Sequence, residues 1–135
     1  MSYTPKYFSK DEMTCNCCGE LPEGGINEEL LEKLDQLREK VGEPVHVTCM
    51  YRCPPHNAAV GGARYSQHLY GLAADIYVDG LTVDELADIA TDIGFRGVER
   101  NYDLDYVHVD VREDTYYWYH ENGDDITCDS RGNAI

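Results

Sequence analysis

The apolar positions fall into two rhythms. Leu30, Leu31, Leu34, Leu37 and Val41 recur at spacings of three and four, which predicts an amphipathic helix. Asn27 stands where a cap belongs, Glu28 and Glu29 fill the first turn, and Gly42 and Pro44 end it. Val83, Leu86, Ala87, Ala90 and Ile93 repeat the pattern, opened by the capping box Thr82-Val-Asp-Glu85 and closed by Gly94. Elsewhere the period is two. Val45, Val47 and Cys49 alternate with His46 and Thr48; Ala74, Ile76 and Val78 with Asp75, Tyr77 and Asp79; Val107, Val109 and Val111 with His108, Asp110 and Arg112. Each run predicts a strand with one buried face. Phe95 to Glu99 is a less patterned strand. The Y-Y-W-Y run from Tyr116 reads as strand packing, with groove lining the alternative, and Asn122-Gly123 as a hairpin turn. Residues 1–26 read as irregular, Leu21 to Gly25 as a turn, and Pro54 to Gly62 as a loop or short helix.

Successive strand residues face opposite ways, so Asp75 and His108 point away from the core that their apolar neighbours build. These patterns predict one α+β domain over residues 1–135. Its small antiparallel sheet carries helices on one face and a site on the other. There is no internal repeat and no low-complexity segment.

Composition narrows the function. The 135 residues are 42% apolar, enough for one core. The net charge of −15 argues against binding nucleic acid or an anionic membrane through a basic patch. No apolar run is long enough to span a membrane. The start, M-S-Y-T-P-K-Y-F-S-K, lacks the apolar core of a signal peptide, so synthesis in the cytoplasm is expected. Six cysteines stand at 15, 17, 18, 49, 53 and 128. In a cytosolic chain they read as free thiols, as a late disulfide, or as a structural zinc site built from Cys15, Cys18, Cys49 and Cys53. Cys17 is a substitute for either neighbour.

The chemistry lies in S-Q-H-L-Y-G-L-A-A-D, Ser66 to Asp75, and in V-H-V-D-V-R around His108. The imidazoles of His68 and His108 and the carboxylate of Asp75 make a three-ligand zinc set with the fourth position open. Tyr51-Arg52, Asn57, Gly61-Gly62, Ser66, His68, Gly71, Ala73 and Asp75, with Asp105 and His108 later, occur in an order that resembles the zinc D-Ala-D-Ala carboxypeptidase family. That family includes the L-alanyl-D-glutamate endopeptidases of phage endolysins. The similarity runs from the first predicted helix to Arg112.

The resemblance implies a hedgehog/DD-peptidase fold and Zn²⁺ held by His68, Asp75 and His108. It implies Asp105 as general base, three residues before His108, and Arg52 as the arginine that binds substrate and steadies the charged oxygen. Strand parity requires Asp105 to sit in the turn before its strand; Asp103 and Asp110 are the other carboxylates on offer there. Ser66 is expected to hold substrate or to orient His68. The implied activity is hydrolysis of a peptide bond in peptidoglycan stem peptides, at a D-Ala-D-Ala end or an L-Ala-D-Glu bond. The expected protein is a monomer that reaches the wall by a phage-type lysis route. The alternative is a non-catalytic zinc-containing domain that binds muropeptide or serves a phage structure.

Overall fold

The computed structural model describes residues 3–16, 18–62 and 66–135. Helix α2, Glu28–Val41, forms where the three-four spacing predicts it. The Asn27 side chain accepts from the Leu30 N–H at 3.2 Å, and Gly42 ends the helix at φ 74°. Its apolar stripe buries Leu30, Leu31, Leu34 and Leu37. Asp35 is buried beside them and ties down the N-terminal segment. It accepts from the Tyr3 hydroxyl at 2.6 Å and from the Lys6 and Tyr7 N–H groups at 2.8 and 3.2 Å. Within the segment predicted as irregular, Lys10–Met13 makes a single turn, α1. The Glu12 carboxylate takes the Ser9 N–H at 2.8 Å, the same device that opens α4, Val83–Ile93, at Thr82 and Glu85. Pro54–Ala59 forms the short helix α3.

Among the described residues, six strands make one sheet: β1 (His46–Cys49), β2 (Ala73–Tyr77), β3 (Gly97–Asn101), β4 (Tyr106–Asp110), β5 (Tyr116–Glu121) and β6 (Asp124–Thr127). Their order across the sheet is β1-β2-β4-β3-β5-β6. The fold is α+β as predicted, but the sheet is mixed, because β5 runs parallel to β3. The cause is local. Both edges of β4 are already taken, by β2 and β3, and the chain leaving β4 pairs at the free edge of β3. Since β3 and β4 are antiparallel, that return runs in the direction of β3. Asn122 and Gly123, both left-handed at φ 53° and 81°, then turn β5 into β6.

Helices α2 and α4 cover one face. Ala74, Ile76, Val98, Val107 and Val109 of the sheet join Leu30, Leu34, Leu86, Ala87 and Ala90 in one core. Truncating a fully buried member such as Leu34 to Ala would cost about 2–5 kcal/mol. Arg100 clamps α4 to this face through Asp84 and Asp88, at 2.8 and 2.7 Å. Among the described residues, no helix is long and apolar enough to cross a membrane.

Candidate metal centre

The opposite face carries the chemistry, and one rung of the sheet organises it. Cys49 pairs with Asp75, Asp75 with His108, His108 with Glu99, and Glu99 with Trp118. Partners opposite one another in a ladder project to the same face, so five strands contribute to one line of side chains. His68 joins it from the 3₁₀ turn Gln67–Tyr70. The Ser66 side chain caps that turn and accepts from the His68 N–H at 3.3 Å, the orienting role open to Ser66.

His68 Nε2 lies 3.1 Å from Asp75 Oδ1, and His108 Nδ1 lies 3.0 Å from the same oxygen. The far nitrogens are also engaged. His68 Nδ1 meets the Met50 carbonyl at 2.8 Å, and His108 Nε2 meets Asp110 Oδ2 at 2.7 Å. A far N–H given to an acceptor leaves the near nitrogen with its lone pair, which is the tautomer a metal ligand needs. Burial disfavours charge on His68, but the Asp75 carboxylate outweighs it and pushes the imidazole up to about 10. Burial likewise raises Asp75, yet the two histidines hold its carboxyl below the ordinary range. This buried carboxylate demands positive charge beside it. A divalent cation among the three near atoms would supply that charge with both imidazoles neutral, and these donor types suit zinc; ligand atoms of Cys49, His68 and Asp75 also lie within 4.8 Å of one another.

An outer ring holds these candidate ligands. Asp110 is fully buried; Arg112 grips it through Nε at 2.8 Å and Nη2 at 2.6 Å. Burial pushes Asp110 up, but Arg112 and His108 overcome this and keep it ionised. Gly97 faces Asp110 across the ladder, and a Cβ there would overlap the carboxylate. Gly62 plays the same part for Arg52. Its missing Cβ leaves room for the Asn57 side-chain oxygen Oδ1, which accepts from Arg52 Nη1 at 2.8 Å. Arg52 Nη2 stands 4.0 Å from Asp75 Oδ2.

Arg52, Ser66, His68, Asp75, Glu99 and His108 all line one cavity of about 360 Å³. Tyr116 and Trp118 wall it; their rings stack at 4.9 Å, with the Arg112 guanidinium 5.2 Å from the Trp118 ring centre. The aromatic run is thus strand packing and cavity wall together, because alternate residues of β5 face opposite ways. Glu99 is buried beside His108, and burial raises its pKa while His108 opposes the rise.

Two expected placements are not found. Asp105 does sit in the turn before β4, but it is exposed, left-handed at φ 56°, and lines a different cavity with Asp79, Thr82 and Tyr102. Of its neighbours, Asp103 accepts the Asn122 and Gly123 N–H groups of the hairpin, and Asp110 serves His108. Besides Asp75, the cavity holds Glu99, which stands opposite His108 on the adjacent strand. Its signal was present: in Gly97-Val-Glu-Arg-Asn101 it alternates with core Val98 on a predicted strand.

Cys49 is the second case. Simple alternation aligns it with core Val45 and Val47 and leaves it available to the other cysteines. A bulge at Thr48 breaks the alternation, since Val47 pairs with Ile76 but Cys49 pairs with Asp75. Cys49 Sγ therefore lies 3.7 Å from His68 Nδ1 and 3.7 Å from Arg52 Nη2. Cys15, Cys18 and Cys53 do come together, without it. Cys17 lies outside the described residues.

A family model described as Peptidase M15 matches residues 6–110, a span that holds every residue of the triad, Glu99, Arg52 and the cysteine cluster. None of the curated proteins compared with the chain matches it.

Proposed function

The chain belongs to the peptidase M15 family of zinc-dependent peptidases, and from that premise we propose that it hydrolyses an amide bond in peptidoglycan stem peptides. The proposed bond is the terminal D-Ala-D-Ala link or the L-Ala-D-Glu link. The observation that carries this reading is the convergence of His68 Nε2, His108 Nδ1 and Asp75 Oδ1, with Glu99 and Arg52 in the same cavity.

His68, Asp75 and His108 would hold the zinc, which when bound supplies Lewis acidity and brings the pKa of a coordinated water toward neutrality. The protein supplies the rest. Glu99 takes the proton of the attacking water and returns it to the departing nitrogen; a carboxylate that burial makes more basic suits both transfers. Arg52, steadied by Asn57, offers a fixed cationic fork to the oxygen on which charge develops. Arg112 and the Tyr116–Trp118 stack form the wall against which a peptide lies. Beside the carboxylates of Asp75, Glu99 and Asp125, Arg52 and Arg112 offer guanidinium groups to a substrate that carries carboxylates, as stem peptides do.

The test is mass spectrometry of purified muropeptides after incubation with zinc-loaded protein. The expected result is release of D-alanine or a split between L-alanine and D-glutamate. Unchanged muropeptides in the presence of protein with a filled His68 site would overturn the reading.

A further inference from the structure

A second cluster of ligating atoms lies away from this cavity, where the N-terminal segment meets the loop after β1. The sulfurs of Cys15, Cys18 and Cys53 all lie within 4.8 Å of one another. We propose that these three thiolates form a separate structural zinc site that staples the N-terminal segment to the loop carrying Arg52. The proposal does not depend on hydrolysis, since it concerns other residues and another metal equivalent.

The local backbone is built for it. Cys15 N–H donates to the Glu20 carbonyl at 2.9 Å, and Gly19 N–H donates to the Cys15 carbonyl at 2.8 Å. These bonds bring Gly19 and Glu20 back beside Cys15, and Cys15 and Cys18 offer two neighbouring sulfurs. Gly19 sits at φ 71°, a left-handed conformation that suits glycine. The third sulfur comes from far along the chain. Cys53 N–H donates to Cys15 Sγ at 3.4 Å, a bond that favours the thiolate over the thiol. Two further bonds dock the same segments. Tyr51 N–H reaches the Met13 carbonyl at 3.3 Å, and the Asn16 amide reaches the Thr48 carbonyl at 2.9 Å.

Distances decide between accident and design. Tetrahedral zinc with bonds of about 2.3 Å sets its sulfurs about 3.8 Å apart. A trio already inside 4.8 Å closes onto such an ion with sulfur shifts of under about 1 Å, within reach of a rotamer adjustment. Cys15 is nearly fully buried, Cys53 is half-buried and Cys18 is exposed, so the ion would sit at the surface with its innermost ligand enclosed. A donor outside the trio completes the tetrahedron. The purpose is positional. Cys53 follows Arg52 directly, and the Arg52 N–H is bonded to the His68 carbonyl at 3.2 Å. A metal gripping Cys53 therefore fixes the backbone from which Arg52 enters the cavity.

The experiment is metal analysis and cobalt substitution of the full chain. Wild type should hold two zinc equivalents, and Cys15→Ser/Cys18→Ser should lose one while keeping the other. With Co²⁺, a sulfur-to-cobalt charge-transfer band should appear, survive Cys49→Ser and His68→Ala, and vanish in the double variant. A band that vanishes with Cys49→Ser and survives the double variant would assign the sulfur to the other centre and overturn the proposal. Should the double variant fail to fold, alkylation mapping of wild type decides. Cys15, Cys18 and Cys53 should resist modification with zinc bound and react once a chelator removes it. Equal reactivity in both states, or a mass deficit of two hydrogens marking a disulfide within the trio, would overturn it.

Discussion

Asp105 and Glu99 neighbour His108 in different senses. Asp105 is close along the chain, three residues upstream. Glu99 is nine residues away in sequence but stands directly opposite on the adjacent strand. The first ends in a solvent-exposed turn beside Asp79 and Tyr102; the second is buried in the cavity with the two imidazoles. What builds this centre is the register of the sheet. Cys49, Asp75, His108, Glu99 and Trp118 come from five strands and reach one line because each pairs with the next.

Replacing each carboxylate is the sharpest way to break this contrast. Glu99→Gln keeps the shape of the side chain and removes its capacity to hold a proton. Turnover of the true substrate should fall roughly 100- to 10,000-fold, about 3–5 kcal/mol of barrier, with zinc content unchanged. Metal analysis must accompany the rate, since a lost ion would imitate a lost base. A variant within a few-fold of wild type would refute Glu99 as the base.

The space behind the ligands comes next. Gly97→Ala would press a methyl group into the Asp110 carboxylate, which Arg112 and His108 hold in place. Overpacking of this kind costs about 1–3 kcal/mol. Thermal melting of the zinc-loaded protein should show the loss, whereas Gly123→Ala, in the open β5–β6 turn, meets no neighbour and loses only its left-handed backbone preference. Equal melting of Gly97→Ala and wild type would mean that Asp110 is not fixed as described. Asp110→Asn probes the same ring through charge. It should weaken zinc binding about 10- to 100-fold in a chelator competition, because His108 loses the partner that sets its tautomer. Unaltered affinity would show that Met50 and Asp75 suffice to orient the ligands.

Much of this was legible in the sequence, and what was not has a common cause. Period and capping located α2, α4 and the strands, because those signals are local. The placing of His68, Asp75 and His108 on one face was legible because their motifs keep a fixed relation to a turn and to strand parity. Glu99 escaped because its link to His108 is a pairing between strands, which no spacing along the chain encodes. Cys49 escaped because one extra residue at Thr48 reverses parity, and a bulge leaves alternation in the sequence intact. The parallel β3–β5 pair depends on which sheet edge is still open when the chain returns, a fact of assembly rather than of composition.

The smallest expected effect tests the other side of the comparison. Asp105 holds a left-handed conformation at φ 56°, which glycine adopts without steric cost. Asp105→Gly therefore relieves local strain, but it also enlarges the freedom of the unfolded chain, and the two terms oppose each other. The net change in stability should stay within about 1 kcal/mol. The carboxylate lost is exposed and lines a cavity that contains neither His68 nor Asp75. Turnover should therefore stay within a few-fold of wild type, with the same zinc content and the same products. A hundredfold loss at full zinc occupancy would mean that the 102–105 turn folds over the cavity when substrate binds. In that case closeness along the chain, and not the rung shared with His108, would identify the residue that handles the proton.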